Sequence, residues 1–239
     1  MQCVVLAGGL GTRMGRLTAK VPKAMIPVAG VPFVRHQLGL LANGGVSDVL
    51  ICTGHLGEMI ERETTEHPTA GLTVRCLADG PQLLGTAGAL RRASASSMLD
   101  DVFLVLYGDS YLEIDYQGVW NSFDPSRFKA LMTVLQNDEG LDRSNAKFDN
   151  GVVTMYRKGV EDPASLGLRF VDYGLSVVRR TALDERVELG ESSDLGTVFQ
   201  QLAEVGALQG YRAPSRFYEI GSERGLIDLE AHLQQVGAG

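Results

Sequence analysis

The residues best suited to chemistry lie near the amino end, where glycines and cations follow an apolar run. Residues 3–6 are apolar and too few for a helix, which is typical of a buried strand. Residues 7–11 are rich in glycine, so backbone N–H groups can approach a bound group closely. Thr12, Arg13 and Lys23 add a hydroxyl group and two positive charges. A strand, a glycine-rich turn and fixed positive charge together predict an anion site, and a polyphosphate is the anion that we favour.

Two standard phosphate-binding motifs can be compared with this segment. A P-loop has four residues between its first glycine and a Gly-Lys-Ser or Gly-Lys-Thr string, which the chain lacks. Gly9, Gly11 and Gly15 loosely imitate a dinucleotide fingerprint, but the third glycine comes one residue late. The next predicted strand, residues 49–52, is followed by a Thr-Gly pair rather than by the acidic residue that binds a ribose. Neither motif explains the segment, and tight turns alone would also use glycines.

A carboxylate follows the most apolar predicted strand. Residues 104–107 lead through Gly108 to Asp109. Ligands of open parallel sheets bind beyond the carboxyl ends of the strands, so we expect Asp109 beside the glycine-rich segment. Magnesium is commonly held by one or two carboxylates together with phosphate oxygens. We therefore predict that Asp109 is a Mg²⁺ ligand, with a helix or turn cap as the structural alternative.

The string from Gly8 to Met14, with Pro22 and Lys23, resembles the signature of the nucleotidyltransferases that make nucleotide sugars. The resemblance covers nearly the whole chain. It implies transfer of a nucleotidyl group from an NTP to a sugar 1-phosphate with release of pyrophosphate, and it implies Mg²⁺ as the cofactor. The nucleotide-binding residues implied in this part of the chain are Leu6, Ala7, Gly8, Gly9, Gly11 and Thr12.

Residues 79–90 resemble the base-binding segment of the same family. Gly85 would let the backbone lie against the base, and Thr86 would cap the following helix or touch the nucleotide. Ionised Asp79 offers only acceptors, which complement the N1–H and N2–H₂ donors of guanine. The segment also resembles the guanylyl-transferring branch, so GTP is the favoured NTP. A turn before Gly80 is the alternative role of Asp79.

Further positions match the resemblance in the second half of the chain. Glu219 stands where the family has the aspartate of an Asp-Ile-Gly-Thr stretch, and it is predicted to bind metal directly or through water. Lys158 resembles the lysine that holds the sugar phosphate, and Asn145 and Asp172 match positions that reach sugar hydroxyls. Turn or cap roles are the alternatives for Asn145 and Asp172, and a surface glutamate is the alternative for Glu219.

The implied reaction needs no nucleophile from the protein, because an oxygen of the sugar phosphate can attack. The protein must instead hold two anions in line and offset their repulsion. We assign Arg13 to the leaving pyrophosphate, Lys23 to the α-phosphate and sugar phosphate, and Lys158 to the sugar phosphate. The first hypothesis is an activity like that of D-glycero-D-manno-heptose 1-phosphate guanylyltransferase. Uridylyl or thymidylyl transfer, a cyclitol phosphate substrate and a catalytically silent nucleotide-sugar sensor are the alternatives.

Composition limits the partners of the chain. Its 239 residues carry a net charge of −7, whereas a nucleic-acid-binding protein needs a basic face. No apolar run reaches membrane-spanning length and no leader is visible, so we expect a cytoplasmic protein with reduced cysteines and no membrane partner. A homo-oligomer is compatible with the resemblance, because related enzymes associate in several ways.

Strand-like and helix-like segments alternate over the first 110 residues. This order predicts an α/β fold with a Rossmann-like mixed, mainly parallel sheet flanked by helices. Predicted helices include Phe33–Asn43 and residues 193–205, the latter capped by Ser192 or Ser193. We expect one domain, residues 1–239, with a nucleotide-binding half (1–110) and a sugar-phosphate-binding half (111–239).

Overall fold

The computed structural model describes residues 1–9, 11, 15, 18, 20–80, 82–137 and 142–237. Among the helices of these residues, none combines the length and the apolar character that crossing a bilayer requires. In chain order the α-helices are α1 (Phe33–Asn43), α2 (Gly57–Glu66), α3 (Gly85–Ala95), α4 (Tyr116–Ser122), α5 (Arg180–Asp184), α6 (Leu195–Glu204) and α7 (Glu223–Gly237).

The strands are numbered in the same way. They are β1 (Gln2–Ala7), β2 (Pro27–Val28), β3 (Val31–Pro32), β4 (Asp48–Thr53), β5 (Thr73–Ala78), β6 (Val102–Tyr107), β7 (Ser110–Tyr111), β8 (Ala130–Gln136), β9 (Ala146–Asp149), β10 (Val152–Tyr156), β11 (Phe170–Arg179), β12 (Leu208–Arg212) and β13 (Tyr218–Glu219).

These elements belong to two compact units. Unit 1 is formed by the described residues of Met1–Leu83, Leu106–Glu113 and Phe217–Gly239, and unit 2 by those of Leu84–Val105 and Ile114–Arg216. Neither unit is continuous in the sequence, because segments of the two units alternate along the chain. The predicted single domain and its division into two substrate-binding halves stay predictions.

Unit 1 contains parallel strands in the order β5, β4, β1, followed by the end of β6. The central strands are buried on both faces, which explains their continuous apolar runs. Ala7 pairs with Thr53, and Thr53 pairs with Ala78, so these three strands end at the same level. The segments that follow them therefore emerge side by side at one edge of the sheet.

A second apolar cluster of unit 1 supports the chain around residue 109. Phe33 at the start of α1 and Leu229 on α7 pack with Tyr111 and Ile220, and all four are buried. Tyr111 and Ile220 are brought close by the short antiparallel ladder between β7 and β13. The segment formed by β13 and Ile220 is thereby held next to the turn that follows β6.

Unit 2 contains mixed pairings, in the order β11, β8, β12, β10, β9. β8 and β12 are parallel, whereas β11 pairs with β8, and β10 with β12 and β9, in antiparallel fashion. The register of β11 against β8 shifts between Asp172 and Ser176. The predicted fold class, a mixed and mainly parallel sheet with flanking helices, is confirmed.

Candidate functional site

The carboxyl ends of the parallel strands in unit 1 bring together Gly8 and Asp79, two residues that the sequence placed in a nucleotide site. Gly8 follows β1, Gly54 follows β4 and Asp79 follows β5. A Cβ atom on Gly8 would lie 3.3 Å from Oδ2 of Asp79, and one on Gly54 would collide with the carbonyl oxygen of Gly8. These turns therefore pack backbone against backbone, which a larger residue at Gly54 would prevent.

The glycine segment itself is described only in part. Thr12 and Arg13, to which the sequence assigned phosphate contacts, lie outside the described residues. Gly11 has a φ of +61°, and its carbonyl oxygen accepts a hydrogen bond of 2.9 Å from the hydroxyl of Thr18. A Cβ atom on Gly9 would meet no described atom within 4 Å. The nucleotide contacts of Leu6, Ala7, Gly8, Gly9 and Gly11 stay predictions.

Lys23 and Asp109 form an ion pair, although 86 positions separate them in the sequence. The distance from Lys23 Nζ to Asp109 Oδ2 is 2.7 Å, and the side chains are 17% and 35% exposed. The backbone N–H of Gly108 donates to the carbonyl oxygen of Leu6 at 3.0 Å, so the turn carrying Asp109 adjoins the end of β1. The structure thus joins the start of the glycine segment, a cation and a carboxylate within unit 1.

The segment containing Glu219 lies beside this pair. The N–H of Ile220 donates to the carbonyl oxygen of Asp109 at 3.0 Å, and a Cβ atom on Gly221 would lie 3.1 Å from Lys23 Nζ. The carboxylate of Glu219 accepts hydrogen bonds from the N–H of Gly221 and, at 2.8 Å, from the hydroxyl of Ser222. Glu219 therefore binds the turn that leads into α7, and its predicted metal contact stays a prediction.

The donor atoms around Asp109 can be compared with the needs of magnesium. Within the described part of the chain, no group of three or more His, Cys, Asp or Glu side chains could hold a metal. Mg²⁺ does not require such a cage, because it usually keeps several waters and binds one or two carboxylates plus substrate phosphates. The partly exposed carboxylate of Asp109 fits that requirement.

Gly85 and Thr86, two of the predicted base-binding residues, lie in unit 2 and pack against the segment that leads into α6. Gly85 has a φ of +70°, and a Cβ atom on it would lie only 2.6 Å from the carbonyl oxygen of Ser193. That oxygen accepts a hydrogen bond from the N–H of Ala87 at 2.9 Å. The hydroxyl of Thr86 accepts a hydrogen bond of 2.7 Å from the N–H of Leu195. Gly85 and Thr86 thus have structural partners, and their nucleotide contacts stay predictions.

Asp194 is a residue of this region that the sequence analysis missed. Its carboxylate accepts a hydrogen bond from the N–H of Gly196 at 2.7 Å and so caps α6, which makes the predicted cap at Ser192 or Ser193 wrong. It also accepts a bond of 3.3 Å from the hydroxyl of Thr86, and it lies 3.3 Å from Nζ of Lys158. Aspartate is a preferred capping residue, and this preference could have identified it.

Asn145 and Asp172, the predicted sugar-binding residues, lie together on neighbouring segments of unit 2. The side-chain oxygen of Asn145 accepts a hydrogen bond of 2.9 Å from the N–H of Asp172. The carboxylate of Asp172 accepts bonds of 3.0 Å from the hydroxyl of Tyr156 and from the N–H of Gly174. These bonds stabilise the register shift of β11, and contact with a sugar stays a prediction.

The three cysteines are free thiols; Cys3 and Cys52 are buried, and Cys76 is half-buried. Burial raises the pKa of all three thiols, to about 12 for Cys52 and to about 11 for Cys76. The negative charge of Asp79 contributes further to the raised pKa of Cys52. All three thiols are therefore protonated at neutral pH, which makes them poor nucleophiles.

Comparisons with known proteins give consistent results. The sequence model of the family described as "Nucleotidyl transferase" matches residues 2–232. The chain is 34% identical over 236 residues to the mannose-1-phosphate guanylyltransferase of Mycobacterium tuberculosis, covering 98% of this chain and 64% of that protein. It is 26% identical over 241 residues to the mannose-1-phosphate guanylyltransferase catalytic subunit beta of Xenopus tropicalis, covering 99% of this chain and 66% of that protein. The chain thus spans somewhat less than two thirds of the length of these curated relatives.

A solved structure with the same fold is that of HddC from Yersinia pseudotuberculosis complexed with GMP-PN. The TM-score is 0.81 at 20% sequence identity, and the match covers 97% of this chain and 99% of HddC. At this level of identity the likeness concerns the fold.

Proposed function

The chain belongs to the nucleotidyl transferase family, and we propose that it couples GTP to a sugar 1-phosphate, forming a GDP-sugar and pyrophosphate. The observation that carries the proposal is the ion pair of Lys23 and Asp109, held beside the end of β1. A cation for phosphate oxygens and a carboxylate for a metal are the groups that phosphoryl and nucleotidyl transfer use.

The proposed reaction is an in-line displacement at the α-phosphorus of the nucleotide. An oxygen of the sugar phosphate forms a bond to that phosphorus, the bond to the bridging oxygen of the β-phosphate breaks, and pyrophosphate leaves with the electron pair. Lys23 would contact the α-phosphate and the sugar phosphate, Arg13 the pyrophosphate, and Lys158 the sugar phosphate. These cations offset the repulsion between two anionic substrates, which is the main obstacle to the reaction.

Magnesium would be held by Asp109, with waters and phosphate oxygens completing its coordination. When bound, the ion supplies positive charge that stabilises the phosphate oxygens during displacement. In the structure, the amine of Lys23 contacts the carboxylate of Asp109, the group that would hold this ion. We expect Lys23 to exchange that contact for a phosphate oxygen when nucleotide binds.

Guanine is the base that we propose, and Asp79 is the residue that would recognise it. Its carboxylate lies against Gly8 at the edge where β1 and β5 end, and the residue is almost completely buried. Two acceptor oxygens match the N1–H and N2–H₂ donors of guanine and mismatch the bases that present an acceptor there. The sequence relatives are named as guanylyltransferases, which supports the choice of guanine.

For the sugar we propose a 1-phosphate of manno configuration. The relatives are named for mannose 1-phosphate, and D-glycero-D-manno-heptose 1-phosphate, the first hypothesis from the sequence, shares that configuration. Asn145 and Asp172 are the residues that we expect to contact the hydroxyl groups.

The test is a grid of GTP, UTP, dTTP, CTP and ATP against mannose, D-glycero-D-manno-heptose and glucose 1-phosphates, with pyrophosphate release measured in the presence of Mg²⁺. We expect release with GTP and the manno sugars. Turnover with UTP or dTTP instead would contradict the choice of guanine, and product binding without turnover for any pair would favour a silent sensor.

A matched pair of variants then tests the assignment of Asp109. Asp48 is also ion-paired at 2.7 Å, to Arg75, but it lies at the opposite end of the parallel strands. Asp109→Asn should lower turnover by about 100- to 1,000-fold, the usual effect of removing one electrostatic contact in a transition state, whereas Asp48→Asn should leave it nearly unchanged. Equal turnover of Asp109→Asn and the wild type would refute the proposed site.

A further inference from the structure

Gln37 is a buried polar residue on the apolar face of α1. It is only 1% exposed, and it lies one helical turn from both Phe33 and Leu41, which are buried as well. Its side-chain amide donates two hydrogen bonds, of 3.0 Å to the carbonyl oxygen of Tyr107 and 2.8 Å to that of Ser110. The helix is thereby attached to the turn that follows β6.

The two carbonyl groups bound by Gln37 stand on either side of Gly108 and Asp109. The same turn is held by the bond from the N–H of Gly108 to Leu6 and by the bond from Ile220 to the carbonyl of Asp109. Gln37 adds two bonds from its side chain to the backbone of this turn. Together these bonds fix the backbone from which the carboxylate of Asp109 projects.

The side-chain oxygen of Gln37 is buried and has no hydrogen-bond partner within the described part of the chain. A buried polar atom without a partner is unfavourable, and an apolar residue would avoid that cost, but it would leave the carbonyl groups of Tyr107 and Ser110 without these two bonds. The two donated bonds are therefore the distinctive contribution of glutamine here, and both go to the Asp109 turn.

We propose that Gln37 is a positioning residue that fixes the Asp109 turn for binding of a metal–nucleotide complex. The inference rests on the proposed function, because it treats Asp109 as the metal ligand. Groups that hold a metal ligand in place typically change metal affinity or activity by about 10- to 100-fold when they are replaced.

The test compares Gln37→Met with Gln2→Met. Gln2 is also buried, at 2% exposed, and donates a 2.6 Å bond to Asp48, but it lies at the opposite end of β1. Affinity for GTP is measured by calorimetry with and without Mg²⁺, and thermal stability is measured for each variant. We expect Gln37→Met to reduce the Mg²⁺-dependent gain in GTP affinity by about 10- to 100-fold and to leave the metal-free affinity within about twofold. Gln2→Met should keep the gain.

The outcomes separate this inference from the proposed function. If the wild type shows no Mg²⁺-dependent gain, the proposed function fails and the inference fails with it. If the wild type shows the gain and Gln37→Met keeps it, or loses metal-free and metal-dependent affinity equally, only the inference is overturned.

Gln37→Glu provides a second variant of the same size. Burial at this position favours the neutral form of the new carboxyl group, which can donate to one carbonyl only, so an intermediate loss of the gain is expected. Failure of both variants to fold would assign Gln37 a purely structural role and would overturn the proposal.

Discussion

Replacement of Gly85 by alanine measures how strongly the start of α3 depends on the segment before α6. Gly85 has a φ of +70°, where an alanine is strained by about 1 to 2 kcal/mol. The new Cβ atom would also lie 2.6 Å from the carbonyl oxygen of Ser193, closer than the 3.0 Å that real Cβ atoms keep from other atoms. That carbonyl must therefore move.

The movement affects the hydrogen bonds at the start of the helix. The carbonyl oxygen of Ser193 accepts bonds from the N–H groups of Ala87 and Gly88, at 2.9 and 3.3 Å, which have no partner within their own helix. Weakening these bonds costs about 1 kcal/mol each. With the backbone strain, Gly85→Ala should reduce the free energy of unfolding by about 3 to 4 kcal/mol.

Gly167 provides the matched control in the same unit. Its φ is +71°, but the nearest atom to an added Cβ is 3.9 Å away, an ordinary contact. Gly167→Ala should therefore show only the backbone strain, about 1 to 2 kcal/mol. Equilibrium unfolding in urea is followed by Trp120 fluorescence and by circular dichroism, and coincident transitions are required before the free energies are compared. Equal losses for the two variants would refute the collision with Ser193.

Two further predictions concern residues outside the proposed nucleotide site. Asp194→Ala should reduce the free energy of unfolding by about 1 kcal/mol in a urea titration, because α6 loses its cap. Asp194→Asn should be nearly neutral, because the amide oxygen can still cap the helix and the exposed ion pair with Lys158 contributes little. Equal losses for the two variants would contradict this prediction. The pKa of Cys76 is raised from 9.0 to about 11. At pH 8 this thiol should therefore react with iodoacetamide about 100-fold more slowly in the folded protein than in the urea-unfolded chain, as measured by mass spectrometry. Equal rates in the two states would contradict the prediction. The same shift means that the stability contributed by the neutral thiol is present below about pH 9 and is lost as the pH rises towards about 11.

The elements that sequence patterns predicted well are long or strongly apolar. The predicted helix Phe33–Asn43 has the bounds of α1, and the apolar run of residues 104–107 lies within β6. β12 was missed, because Gly210 interrupts its pattern. In the structure, a Cβ atom on Gly210 would collide with the ring of Phe148, so the glycine is required by packing that no local pattern reveals.

The sequence also predicted which types of residue form the candidate site and that Asp109 lies beside the glycine-rich segment, but it did not predict the ion pair of Asp109 with Lys23. It identified Lys23 and Asp109 separately, from a glycine-rich segment and from the end of an apolar strand. Their ion pair, across 86 positions, follows from the tertiary structure, which places the Asp109 turn against the end of β1. Gln37 gave only a weak signal, a polar residue on an apolar helix face.

The amino-acid sequence by itself determined the class of fold and the chemical groups available to bind phosphate and metal, because strand and helix periodicity and side-chain type are local properties. The tertiary structure decided which groups meet. It directed the carboxylate of Glu219 to the start of α7, and it made Asp194 rather than a neighbouring serine the cap of α6. Hydrogen bonds and ion pairs act over about 3 Å, so a partner is chosen by distance in the folded chain and not by position along it.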